Sequence, residues 1–165
     1  MSQLIVKDER IVNILQQVKD PEIDSISIVE LGMVEQAEFH NGMAKVRLLP
    51  TFMGCPALEI IKGNVEKALL ADSAISETDV DFLFSPPWTS DRVSEIGREK
   101  LKEFGIAPPP EKLEDDGGWK VNCPYCDSPY TTLDNIFGPT ACRSILYCKQ
   151  CKNPFEAMKP ISTIM

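Results

Sequence analysis

The segment Cys123-Pro-Tyr-Cys126 and its counterpart Cys148-Lys-Gln-Cys151 set the fold of the last part of this chain. Each pair holds two residues between its thiols, and 21 residues separate Cys126 from Cys148. A two-residue spacer lets one tight turn present two sulfurs to one ion, and tetrahedral zinc binds four such ligands at about 2.3 Å. The spacing therefore predicts a zinc ribbon whose metal is held by Cys123, Cys126, Cys148 and Cys151.

Weaker sequence features indicate which metal ion is bound and whether the cysteines are reduced. Four thiolates also hold a single iron, but zinc is expected because no redox role is evident. The chain starts MSQLIVKDER, which lacks the apolar core of a signal peptide. A reduced, cytoplasmic protein is therefore expected, in which metal binding is favoured over disulfides. The sixth thiol, Cys142, is expected to be a small buried side chain, since four sulfurs already complete the site.

Length and composition predict two domains. A ribbon of about 45 residues cannot build a sufficient core alone, which is why it needs a metal. The segment 107–118 begins Ala-Pro-Pro-Pro and ends in acidic residues and glycine, as linkers do. We therefore expect a first domain at 1–106, a Pro-rich acidic linker at 107–118 and the ribbon at 119–165. No apolar run approaches the roughly 20 residues that a membrane span requires, so no membrane association is expected.

Charge argues against a nucleic-acid partner. Residues 1–106 carry 11 basic and 18 acidic side chains, whereas 119–165 carry 5 basic and 3 acidic ones. An acidic body repels phosphate, and five scattered cations make no firm basic footprint. We expect the ribbon to dock a protein.

Hydrophobic patterning predicts the secondary structure of the first domain. Apolar residues at helical spacing indicate a helix over 8–18, and Asn41-Gly42 between two strand-like runs indicates a hairpin. A helix after Pro56, a strand at 80–84 and a helix from near Asp91, capped by Thr89 or Ser90, complete the pattern. The fold class is thus α+β: a small α/β layer domain, with helices packed on a short mixed sheet, followed by a four-cysteine zinc ribbon.

Three residues of this domain, His40, Trp88 and Cys55, are of types that often have functional roles. His40, the one histidine, belongs to the hairpin turn and is expected to be solvated rather than catalytic. Trp88 is expected to pack over the neighbouring strand. Cys55 falls at the predicted N-cap of the second helix, where the helix dipole lowers a thiol pKa, but a small buried cysteine fits the composition equally well.

Short segments along the whole chain form a recognisable set. In the first domain and at its end they are DPEI (20–23), LGMV (31–34), GCP (54–56), WTSD (88–91), Gly97-Arg98 and GIAPP (105–109), and in the ribbon CPYC (123–126), FGPTAC (137–142) and CKQC (148–151). With the first set, the first domain resembles the SufT-like family of metal–sulfur cluster biosynthetic domains. With the linker and ribbon included, the chain resembles the PaaD (PaaJ) family of the phenylacetyl-CoA oxygenase, or epoxidase, system over nearly its full length.

The resemblance implies an accessory role rather than an enzyme. It suggests that the protein assembles or delivers an Fe–S cluster or iron to other oxygenase components during aerobic phenylacetate degradation. Cys55 would bind this cargo transiently, and Asp20, Glu22, a second copy in a homodimer, or the client would complete the coordination. Asp20 fits a turn-capping role at Asp-Pro equally well. The alternatives are a structural subunit of the oxygenase complex and, less favoured, a zinc-ribbon regulator that binds nucleic acid.

Overall fold

The computed structural model describes residues 7–52, 56–110, 120–139 and 142–160. The chain divides into two compact units, Met1–Trp88 and Thr89–Met165. Among the described residues, no helix is long and apolar enough to cross a membrane.

Unit 1 is a three-stranded mixed sheet with two helices. Strand β1 (Val34–His40) pairs antiparallel with β2 (Met43–Leu48), and β3 (Glu77–Phe82) pairs parallel with β2. Helix α1 (Glu9–Leu15) precedes the sheet, and helix α2 (Ala57–Leu70) provides the crossover between the two parallel strands. The expected helix-on-mixed-sheet arrangement is confirmed.

The Asn-Gly hairpin is confirmed. Asn41 and Gly42 both adopt positive φ, 49° and 81°, as the type I′ turn that matches strand twist requires. The carbonyl of Gly42 also accepts the N–H of Ser76 at 2.8 Å, which ties the turn to the start of β3. His40 lies at the exposed end of β1, as expected.

The core of unit 1 lies between the sheet and the helices. Trp88 is 3% exposed, and its indole N–H donates to the carbonyl of Leu31 at 2.8 Å, so its packing role is confirmed. Both helices bury one stripe against the strands, and α1 ends at Leu15 rather than continuing to residue 18. The buried side chains of these elements include Ile11, Leu15, Ala57, Ile61, Val65, Leu69, Ala44, Val46 and Leu48.

The described residues of unit 2 form a four-stranded sheet with one α-helix. Helix α3 (Glu95–Glu103) leads into the short strand β4 (Ile106–Ala107), followed by β5 (Thr131–Asn135), β6 (Arg143–Cys148) and β7 (Pro154–Met158). The strand order is β4-β7-β6-β5, with β4 parallel to β7 and the other pairs antiparallel. A core cluster unites Ala107, Val121, Cys123, Leu146, Cys148, Phe155 and Ala157.

The third helix differs from its prediction. Its N-cap is Ser94, whose Oγ accepts the N–H of Gly97 at 3.0 Å, whereas Thr89 and Ser90 lead into a single 3₁₀ turn. Leu101 is fully buried, but Ile96 is 62% and Phe104 48% exposed. A helix of nine residues buries only the narrow stripe that faces its neighbour, so these two apolar side chains remain in solvent.

The units do not divide where the sequence pattern placed the domains. Residues 89–106 group with the ribbon, because Ile106 and Ala107 pair with β7 and Ala107 is fully buried in the ribbon core. The start of the expected linker is thus packed, and the guanidinium of Arg98 donates to the carbonyl of Pro109. Residues 111–118 lie outside the described residues. The division at 1–106, 107–118 and 119–165 stays a prediction about independent folding.

Candidate functional sites

Two turns of unit 2 bring four thiols together. Cys123 and Cys126 lie in a turn before β5, whereas Cys148 ends β6 and Cys151 lies in the turn that joins β6 to β7. All four sulfur atoms lie within 4.8 Å of one another. The spacing alone thus identified a group that the fold assembles.

The distances fit a tetrahedral metal site. The Sγ of Cys123 lies 3.7 Å from that of Cys151, and the Sγ of Cys126 lies 3.6 Å from that of Cys148. A tetrahedron with metal–sulfur bonds of about 2.3 Å has sulfur–sulfur edges of about 3.8 Å. A disulfide would need a separation near about 2.05 Å, so these thiols are not paired with one another. The donor set and its geometry fit a structural zinc ion.

The two Cys-x-x-Cys turns, 123–126 and 148–151, are called knuckles below, and they share the same backbone conformation. The carbonyl of Cys123 accepts the N–H of Asp127, and that of Cys148 accepts the N–H of Lys152, both at 2.9 Å. Asp127 and Lys152 both adopt left-handed φ, 60° and 63°. Glycine, asparagine and aspartate are the usual signals of this conformation, so Asp127 is compatible with it in the sequence, whereas Lys152 gives no such signal.

Backbone donors also point at the sulfurs. The N–H of Tyr125 donates to the Sγ of Cys123, and the N–H of Cys151 donates to the Sγ of Cys148, both at 3.4 Å. Such bonds stabilise thiolate charge, as a metal site requires.

The thiols of Cys123, Cys126 and Cys148 differ in pKa because each has a different balance of burial and hydrogen-bond donors. Burial acts to raise the pKa of Cys148, but backbone N–H groups and neighbouring thiols outweigh it and lower the value to about 7. Burial raises the pKa of Cys123 above its usual range. The N–H of Ser128 acts to lower the pKa of Cys126, but burial and the three neighbouring thiols raise it to about 12. The thiol of Cys148 therefore ionises before those of Cys123 and Cys126, whose protons would be released to solvent when a metal ion binds.

Cys142 lies apart from this cluster. It immediately precedes β6, whereas Cys148 ends that strand, so about 20 Å of extended chain separates the two residues. Cys142 is half-buried rather than fully buried. It is therefore not a ligand of the zinc site.

Cys55 lies outside the described residues, and its environment stays a prediction. Helix α2 begins at Ala57 with Pro56 at the N-cap position, one residue later than the sequence indicated. Helix ends vary by a residue or two with assignment criteria, so Cys55 remains at the start of this helix in sequence.

Asp20 and Glu22 lie in the loop after α1. The Oδ1 atom of Asp20 accepts the N–H groups of Glu22 at 2.8 Å and Ile23 at 3.0 Å, which is a turn-capping role. Glu22 is exposed. Asp20 also lines a cavity of about 530 Å³ together with Asn64 and Lys67. Asn64 lies about 10 Å along α2 from Ala57, so this cavity flanks the C-terminal half of the helix rather than its first turn.

Comparison with family models separates the same two parts of the chain. Residues 8–87 match the model described as "Iron-sulfur cluster assembly protein", and residues 107–159 match "PaaD zinc beta ribbon domain". The fold and the four-thiol site thus define the class: an iron–sulfur cluster assembly domain joined to a zinc ribbon. The chain is also 35% identical over 149 residues to a putative 1,2-phenylacetyl-CoA epoxidase subunit of Escherichia coli (strain K12), covering 90% of each protein. It belongs to the PaaD family.

The first domain has relatives of its own. The chain is 36% identical over 94 residues to the Fe-S protein maturation auxiliary factor YitW of Bacillus subtilis (strain 168), covering 56% of this chain and 91% of YitW. The crystal structure of the domain of unknown function DUF59 from Bacillus anthracis is 30% identical, with a TM-score of 0.52. That match covers 56% of this chain and 88% of the DUF59 chain, which supports the α+β fold.

Proposed function

We propose that this protein is a non-enzymatic maturation factor of aerobic phenylacetate degradation. It assembles an Fe–S or iron centre, or delivers it, to a component of the phenylacetyl-CoA 1,2-epoxidase complex in the cytoplasm. The observation that carries this proposal is the union in one chain of an iron–sulfur cluster assembly domain with a PaaD ribbon. Relatives of the first domain alone bear the name of Fe-S protein maturation factors, and the full-length relative bears that of an epoxidase subunit.

The chemistry of the chain supports cargo handling rather than catalysis. His40 is the one histidine of the sequence and lies exposed at the hairpin, a position that does not favour a general base in a buried active site. The zinc site has four protein ligands and therefore no open coordination position, which assigns it a structural role. Cys55 is the one thiol of the first domain. Asp20, Glu22, a second copy of the chain or the client would supply the other ligands of the cargo.

The test replaces Cys55 with serine in a strain whose only copy of the gene carries the change. We expect zinc content and fold to stay as in the wild type, while the epoxidase becomes inactive or poor in its metal centre. Cys142→Ser is the matched control, because it removes a thiol that lies apart from the zinc cluster. Normal epoxidase activity in the Cys55→Ser strain would overturn the proposal.

A structural subunit of the epoxidase complex is the second candidate, favoured by the name of the Escherichia coli relative. It predicts stable co-purification with the catalytic components and indifference to Cys55→Ser. Anaerobic purification followed by metal and sulfide analysis separates the two candidates. Iron and sulfide that are present in the wild type and absent from Cys55→Ser support the maturation factor.

A further inference from the structure

Two exposed aromatic side chains lie at one end of the sheet of unit 1. Single exposed apolar residues are ordinary, whereas apolar residues that share one surface mark an interaction site. Phe52 and Phe84 share such a surface, because they follow the last residues of two neighbouring parallel strands, β2 and β3. The large hydrophobic side chains that are exposed among the described residues of this unit are Met43, Phe52, Ile60, Leu70 and Phe84.

Chain connections bring the two aromatic residues together. The N–H of Leu83 donates to the carbonyl of Leu48 at 2.8 Å, where β2 and β3 end. Phe84 follows Leu83 directly, and Phe52 follows Leu48 by four residues, a span of at most about 14 Å. Phe84 is 61% exposed and Phe52 is 40% exposed. This end of unit 1, marked by Phe52 and Phe84, is called the aromatic end below.

The apolar face of β3 extends past its cover at this end. By the alternation of a strand, Phe84 follows Val80 and Phe82 on the face opposite Asp79 and Asp81. Helix α2 packs on β3, and Val80 is 4% exposed. Exposure then rises through the half-buried Phe82 to Phe84. The core face therefore remains open to a partner where the strand ends.

The aromatic end adjoins the segment that carries Cys55. Residues 53–55 connect Phe52 with Pro56, which precedes α2. Among the described residues, the one group of three or more clustered metal-ligating side chains is the zinc site of the ribbon. Asp20 lines a cavity beside the C-terminal half of α2, away from this end. A cargo bound by Cys55 therefore needs ligands from another molecule, which must contact the aromatic end.

Charge specifies the kind of surface that fits the aromatic end. Residues 1–88 carry 14 acidic and 7 basic side chains. Glu59, in the first turn of α2, and Asp81, near the end of β3, are exposed and form no ion pair among the described residues. Arg47, opposite Asp81 in the sheet, is paired with Asp79 at 2.7 Å. A second copy would bring like charge to this end, whereas a basic surface is attracted to it.

We infer that the aromatic end is the docking surface for the epoxidase component that receives the cargo. This component presents apolar side chains to Phe52 and Phe84 within a basic surface, and it supplies the remaining ligands of the cargo. Apolar contact at the centre supplies affinity, and the surrounding charge steers association. The inference rests on the proposed function for the identity of the partner, but its test measures binding rather than maturation.

Neutral substitutions test the apolar contact. Binding of the full-length, zinc-loaded protein to each purified epoxidase component of the same organism is measured by calorimetry. Phe52→Ser and Phe84→Ser should each weaken binding to the same component by about tenfold or more, because they remove apolar contact without changing charge. Met43→Ser is the matched control: Met43 is 40% exposed, like Phe52, but begins β2 at the opposite end of the sheet. Its binding should match the wild type, and thermal unfolding checks that all three variants fold.

Charge reversal tests the basic surface of the partner. Glu59→Lys should weaken the same complex and flatten its dependence on salt. Glu77→Lys makes an equal change in charge at the first residue of β3, which pairs with Met43 at the opposite end, and should have a smaller effect. Binding by the wild type that does not weaken as salt rises would overturn the inference.

The other outcomes separate this inference from the proposed function. Wild-type affinity in either Phe52→Ser or Phe84→Ser would overturn the inference and leave the proposed function intact, because Cys55→Ser tests that function separately. A wild-type dimer that Phe84→Ser dissociates, with component binding unchanged, would assign the aromatic end to a second copy and overturn the inference too. If the wild type binds no component, the inference is wrong, and Cys55→Ser alone decides the proposed function.

Discussion

The burial and position of each cysteine of the ribbon distinguish the zinc-binding thiols from Cys142. Cys123 and Cys148 are fully buried in the ribbon core, so they are structural side chains as well as ligands. Cys126 is exposed, and Cys142 lies on a different part of the sheet.

Cys148→Ser tests the role of a single ligand. We expect loss of zinc and unfolding of the ribbon, because binding energy is folding energy in such modules. Zinc released on denaturation, measured with a chromogenic chelator, and thermal unfolding check the result. Cys142→Ser should retain the zinc. Full zinc content in Cys148→Ser would contradict the four-ligand site.

A lower pH should weaken zinc binding, as Cys148→Ser does. The thiols of Cys123 and Cys126 have raised pKa values in the metal-free site, so zinc must displace their protons. Affinity should therefore fall as pH falls, and binding enthalpy should depend on the ionisation enthalpy of the buffer. A zinc affinity that stays constant between about pH 8 and about pH 6 would contradict this linkage.

Among the secondary-structure elements, helix α2 contains a glycine that lowers its stability without a visible structural reason. Gly63 lies in the middle of this 14-residue helix, on its exposed side, and a Cβ added there would meet no atom within 4 Å. Glycine in a helix interior is less favourable than alanine by about 1 kcal/mol. No contact within the described residues accounts for it.

Gly63→Ala should therefore stabilise the protein, by about 0.5–1 kcal/mol in urea unfolding. The control is Gly42→Ala in the hairpin turn, where φ is +81° and an added Cβ would lie 2.9 Å from the Oγ of Ser76. That variant should be less stable than the wild type. Equal effects of the two substitutions would show that backbone conformation does not govern these positions.

Across the molecule as a whole, the ribbon is larger than its metal-binding segment. Strand β4 pairs with β7, and Ala107 fills a core position beside Cys123 and Cys148. Helix α3 adds an ion pair between Lys102 and Asp127 of the first knuckle, at 3.5 Å, although both side chains are exposed and such a pair contributes little.

A fragment of residues 89–165 should therefore fold and bind zinc, whereas 119–165 should bind more weakly, by about tenfold, and unfold at lower temperature. The shorter fragment exposes the outer edge of β7 and the core position of Ala107. Competitive zinc titration and thermal unfolding of both fragments measure the difference. Equal affinity and equal midpoints would favour the sequence-based boundary at 119.

Features that depend on neighbours along the chain could be predicted from the sequence. The two C-x-x-C spacings predicted all four clustered thiols, and Asn41-Gly42 predicted the hairpin. The three-dimensional packing was needed to show which strand completes the ribbon sheet, that Ser94 caps α3, and that Ile96 and Leu133 face solvent. Spacing and turn chemistry act within a few residues, whereas burial and strand pairing depend on partners tens of residues away, which local patterns do not specify.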